Sequence, residues 1–119
     1  MRLSVNNENE ANIMILICII GLLESLENNL ISIEEGEQFL FSPYSVYYLK
    51  KGGIDENIVK LVELGTELED IESLLPDLLK SKIKDLSNSA KKILKEFRSI
   101  SISEPYEIEK WIDKKDLDD

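Results

Sequence analysis

Four carboxylates crowd one short stretch of this chain: Glu67, Glu69, Asp70 and Glu72. On a helix, Glu69 and Glu72 share one side and Glu67 and Asp70 share another. Paired carboxylates at that spacing can move protons, bind a hard cation, meet a basic partner or simply form a solvated helix face. The first two uses need company that the stretch lacks. The Asp/Asn/Gly spacing of a calcium loop is missing, and a chain without histidine has no Glu-x-x-His of the di-iron kind. Two-carboxylate hydrolysis works in a deep cleft, which a small bundle rarely has. The expected roles are therefore a solvated face or a contact surface, with no metal site.

Other catalytic chemistry finds little footing. Nucleophilic catalysis sets a Ser or Cys beside a base, most often His, and there is none. Cys18 lies in the most apolar stretch and is expected to be an inert core filler. The five glycines are scattered, with no phosphate-cradling pattern. No catalytic residue, cofactor or enzyme activity is expected. Aromatic residues form the other candidate: Phe39, Phe41, Tyr44, Tyr47 and Tyr48. Tyr44, Tyr47 and Tyr48 fall at i, i+3, i+4, giving one aromatic helix side. That side suits a core with hydroxyls reaching the rim, which is the expectation, or an interface.

The 119 residues fit one domain, expected to span 1–119 with frayed ends at 1–8 and 116–119. Hydrophobic residues make up 43%, too many for a disordered chain. Fourteen basic residues face twenty-four acidic ones, a net charge of −10. Such a surface repels phosphate backbones and anionic membranes, so neither nucleic acid nor membrane is an expected partner. It suits a basic protein partner through complementary fields, although solubility alone would also account for it. One cysteine rules out an intrachain disulfide and fits a reducing cytoplasm. The start is too acidic for a signal peptide, and the apolar run Ile13–Leu23 is shorter than the ~20 residues that span a bilayer.

These groups must be positioned by helices. Apolar spacing predicts a first helix over Glu10–Asn28, with Asn7 and Glu10 as cap signal and an apolar surface all round that places it centrally. Ser32 with Glu35 is a capping box for a short helix to about Leu40. Ser42-Pro43 reads as N-cap and N1 of a helix stopped by Lys50-Lys51-Gly52-Gly53. Asp55 caps the next helix, with Ile58, Leu61 and Val62 inward. Thr66 with Glu69 is a further capping box, so that helix either breaks near Gly65 into a kinked pair, the favoured reading, or continues with Gly65 as a close-contact point. Leu61, Leu64, Leu68, Ile71 and Leu75 keep a helical spacing through it. Pro76 opens the longest helix, to about Arg98, with a core stripe of Leu79, Ile83, Leu86, Ala90, Ile93 and Phe97. Ile100–Ser103 alternates as a short extended piece would, and Pro105–Lys115 offers a last helix with Ile108, Trp111 and Ile112 on one side. The expected fold is all-α: a compact bundle of five to six helices, with one short extended segment near the C-terminus.

Phe41-Ser42-Pro43-Tyr44 and Gly65-Thr66-Glu67-Leu68-Glu69-Asp70-Ile71-Glu72-Ser73-Leu74, followed by a Pro-led helix, resemble an uncharacterised family of short bacterial proteins. Some members of that kind sit beside polymorphic or contact-dependent toxins as immunity proteins. The resemblance covers about residues 13–98, leaving out the first ten residues and the tail, and transfers no catalytic residue. With the acidity, it implies a cytoplasmic immunity protein that blocks a basic toxin, a nuclease being one type. Glu67, Glu69, Asp70 and Glu72 would meet the toxin, with Tyr47 or Tyr48 as anchors. A regulatory or adaptor protein, or a self-associating bundle, is the alternative.

Overall fold

The structure is a computed structural model that describes residues 8–102. Every regular element among them is a helix: α1 (Glu8–Glu27), α2 (Ile33–Phe39), α3 (Pro43–Lys51), α4 (Glu56–Thr66), α5 (Leu68–Leu74) and α6 (Pro76–Ile102). The all-α expectation holds, with six helical segments of which α2 and α5 are barely two turns. Asn7, the last helix anticipated over 105–115 and the ends expected to fray lie outside the described residues.

Helix boundaries follow from cap chemistry. α1 ends where Asn29 turns left-handed at φ 58° and the Leu30 amide reaches back to the Ser25 carbonyl at 2.8 Å. Asn is the residue that most readily stands in for glycine there. Ser32 caps α2 through a complete box: its hydroxyl accepts from the Glu35 amide while the Glu35 carboxylate accepts from the Ser32 amide. Ser42 accepts from the Ser45 amide at the start of α3, with Pro43 at N1. Gly53, at φ 80°, lets the Ile54 amide close on the Leu49 carbonyl and ends that helix.

The break between α4 and α5 has a different cause from the expected one. Thr66 does not cap α5, whose N-cap is Glu67 with no side-chain hydrogen bond. The Thr66 hydroxyl instead donates backward to the Glu63 carbonyl at 2.6 Å. Such back-bonding competes with the helix ladder and bends it. Gly65 is also a close-contact point, since a Cβ there would lie 2.3 Å from Cδ1 of Phe41. The favoured reading holds and continuation does not: the helix breaks at Glu67, although the ring of Phe41 does sit on the bare backbone of Gly65, two residues earlier.

Two further corrections concern α6 and α1. α6 does not stop at Arg98 but continues to Ile102, so Ile100, Ser101 and Ile102 are helical rather than extended. Alternation over so few residues is weak against continuation of a long helix, where each added residue gains a hydrogen bond without a new nucleus. α1 is not buried all round. Leu16, Ile19 and Leu23 are buried at 0–1% exposure, but Ile17 is 44% exposed and Cys18 and Gly21 are open to solvent. Cys18 is thus not a core filler. The helix Asn9–Glu27, with mean hydropathy 1.6, is long and apolar enough to cross a membrane by length and composition, contrary to the reading from its central run alone.

α1 runs parallel to α4 and antiparallel to α6. At one end the Asn12 side-chain oxygen accepts from the Asp55 amide at 3.0 Å. At the other, Leu26 and Leu68 share a wall with Phe41 and Gly65, and Leu68 in turn lies against Leu86 of α6. The core gathers Leu16, Ile19, Leu23 and Leu26 of α1, Phe41, Ile58, Leu61 and Val62 of α4, Leu68, and Ile83, Leu86 and Ala90 of α6. Each fully buried aliphatic side chain contributes about 1.5–3 kcal/mol. Leu79, Ile93 and Phe97 of the expected α6 stripe pack at its edge, whereas Leu75 is exposed.

Candidate interaction groove

α2 and α5 are both short, and they lie side by side because Ile33 and Leu68 turn inward from them. Their outward sides are carboxylate-rich. Glu34 and Glu37 from α2 and Glu69 and Glu72 from α5 wall an open groove of about 620 Å³, with Ser42 and Ser73 also on its surface. None of these four carboxylates forms an ion pair among the described residues. The Glu69 carboxyl is held above its ordinary value, first by a hydrogen bond with the Glu37 carboxyl, then by that neighbour's negative charge, by partial desolvation and by Asp70. Two carboxyls in hydrogen-bond contact share a proton more readily than they both ionise.

The anticipated acidic residues separate here. Glu69 and Glu72 face the groove together, as their i, i+3 spacing requires. Glu67 looks elsewhere, onto a smaller hollow of about 210 Å³ beside Lys82 and Asp85 of α6. Asp70 is exposed and lines neither, although its charge reaches Glu69. Sequence reasoning missed Glu34 and Glu37. The available signal was the acidic first turn of the helix that the Ser32 box starts, but their partnership with α5 is a long-range contact that spacing does not encode.

The tyrosines do not form core. Tyr44, Tyr47 and Tyr48 are 72%, 59% and 51% exposed, and Phe39 is exposed as well. Val46 and Leu49 take the inward side of α3, facing α4, which leaves the tyrosine side outward. The rings hold one another: Tyr44 and Tyr48 centroids are 4.7 Å apart, and Tyr47 meets Tyr48 edge-on at 5.1 Å. Tyr47 and Tyr48 are thereby available as contact residues. Phe41 alone of the aromatic stretch is buried.

The Cys18 thiol, though accessible, is pushed above its ordinary value by the partial desolvation that its apolar neighbours impose. No group of three or more His, Cys, Asp or Glu side chains among the described residues is arranged to hold a metal ion.

The family described as "Protein of unknown function (DUF3969)" matches residues 6–113. The chain belongs to that family. Its match is wider than the 13–98 that the two motifs suggested, taking in residues near the N-terminus and the tail beyond Arg98. No curated protein and no solved structure matched the chain.

Proposed function

We propose that this protein binds another protein and has no catalysis of its own, acting as a cytoplasmic immunity protein that neutralises a basic toxin by laying an acidic surface over its active site. The observation that carries the reading is the groove between α2 and α5, walled by four carboxylates that form no ion pair among the described residues, in which Glu69 is crowded against Glu37. A lysine or arginine entering there would sit between crowded like charges, so occupancy relieves an existing repulsion. A nuclease is the toxin type that fits best, because its cleft holds phosphates with cations and a carboxylate row can take their place. Glu69 and Glu72 with Glu34 and Glu37 form the recognising surface; Glu67 and Asp70 add field on its flanks. Tyr47 and Tyr48 supply apolar anchors of the kind that set residence time.

The test is co-expression with the product of the adjacent upstream gene. Growth should be restored by the wild-type chain, and the Glu37→Lys/Glu69→Lys variant should weaken the complex by about tenfold or more. A neighbour that is neither toxic nor bound ends the proposal. The exposed tyrosines of α3 also favour a second reading, an adaptor that docks or self-associates through this helix. Light scattering separates the two, since a stable dimer that buries α3 supports the adaptor.

A further inference from the structure

α5 and its N-cap separate two features of different character. Toward α2 they present Glu69, Glu72 and Ser73 to the acidic groove. Toward α6 they present Glu67 and Ile71, one helical turn apart, to the hollow of about 210 Å³. That hollow is apolar at its base, where Leu68 and Leu86 are buried, and the partly buried Leu64 and Ile71 form its sides. Its rim is polar and exposed, with Glu67 on one flank and Lys82, Asp85 and Ser89 of α6 on the other. None of Glu67, Lys82 and Asp85 forms an ion pair among the described residues. Apolar surface continues past the hollow: Leu74 follows Ile71 by three residues and Leu78 precedes Lys82 by one turn, and the two are 76% and 45% exposed.

Size and surroundings select the occupant. Sites for drug-sized ligands run from about 300 to 1,000 Å³, so the hollow is too small for one. A dry cavity of about 150 Å³ holds a benzene ring, so the hollow is large enough for one aromatic or branched aliphatic side chain. We infer that it takes a single large apolar side chain of a basic protein partner, which straddles α5 and lays its cations in the groove on the other flank. This occupant rests on the basic partner proposed above for the groove. Charge sets its chemistry: the groove is walled by four carboxylates, and the rim of the hollow adds Glu67 and Asp85 against Lys82 alone. A second copy of the chain, at a net charge of −10, would bring more negative charge to that face. The geometry suits a helix or turn of the partner, because the two features lie on opposite flanks of one helix about 10–12 Å across, a span of about two helical turns. Cations in the groove then speed encounter, while the side chain in the hollow slows release.

The probe is a synthetic helical peptide of lysine and alanine with one central phenylalanine, compared with the same peptide carrying alanine there. Both are titrated at low salt into the full-length protein and followed by amide chemical shifts. The phenylalanine peptide should bind about fivefold tighter or more, and the amides of Glu69 and Glu72 should titrate with the same midpoint as those of Ile71 and Leu86. Ser89→Phe, which sets a ring over the hollow from its exposed rim, should abolish the phenylalanine advantage and leave the alanine peptide's affinity and the urea midpoint unchanged. Ser89→Glu, which adds a charge at the same rim, should reduce the advantage as well. Equal affinity of the two peptides, no binding of either, separate midpoints, or an advantage that survives both Ser89 variants overturns the inference. Shifts around the hollow that follow protein concentration without peptide assign it to a second copy and overturn it too. In Glu37→Lys/Glu69→Lys both peptides should weaken; that loss without a phenylalanine advantage in the wild type keeps the groove and removes the hollow, whereas indifference to it removes both.

Discussion

At the residue scale the most constrained position is Gly65. It sits in the last turn of α4, where alanine would ordinarily be better by about 1 kcal/mol. Here a Cβ would fall inside the ring of Phe41, at 2.3 to 2.9 Å from three of its atoms. Phe41 is itself buried, so the ring cannot swing into solvent without losing its packing. Gly65→Ala is therefore expected to destabilise by about 1–3 kcal/mol despite its better helix propensity, measured as a shift in urea midpoint. Phe41→Leu alone should also destabilise, by leaving space. In the double variant the two changes should cost less than their sum, a coupling that a cycle of the four proteins reads directly.

At the element scale, α2 and α5 are held by opposing demands: their inner sides pack while their outer sides repel. Glu69 carries a folded-state value above its ordinary one, so the native state holds the proton more tightly than the unfolded chain. Stability from this group therefore falls as pH rises from the ordinary value of 4.5 through the raised folded value. Glu69→Gln should consequently be more stable than wild type at pH 7 and nearly equal to it at pH 4, seen in paired denaturant titrations. Glu24 runs the other way. Its carboxyl is lowered by the hydrogen bond from Lys91, then by the charge of Lys91 and the hydroxyl of Ser87, so its contribution is present above 4.5 and lost as pH falls through the folded value. Comparing Glu69→Gln with Glu24→Gln separates the two opposing acid limbs.

Local signals were legible at this scale and long-range ones were not. Ser32-x-x-Glu35, Ser42-Pro43 and the paired glycines after Lys51 each contain their whole mechanism within a few residues, and each lies where it was expected. Thr66-x-x-Glu69 has the same spelling as the Ser32 box, but its hydroxyl turned back because the chain before it was already helical. Periodicity defined faces without saying which face was inward. The tyrosines of α3 and the Val46–Leu49 pair both repeat helically, and contact with α4 decided for the smaller pair. Of the groove, the α5 wall was visible as a charge run, whereas the α2 wall depended on two helices meeting across more than thirty residues of chain.

At the scale of the whole molecule, α6 is the common support. It is 27 residues long and packs against α1, α4 and α5, whereas α2 packs against α1 and α5 and α3 against α4. A net charge of −10 spread over this frame should give association with a basic partner a strong ionic-strength dependence, while dissociation, set by the contact residues, changes less.

The Phe41–Gly65 contact has one more consequence. It ties the loop between α2 and α3 to the same turn at which α4 gives way to α5, so one wall of the groove is anchored to the other by a ring rather than by the groove's own side chains. Amide hydrogen exchange should show it. Protons of α2 and α5 should become labile together, at a common opening free energy below that of the centre of α6, and Phe41→Ala should accelerate both helices while leaving mid-α6 protons the slowest in the protein.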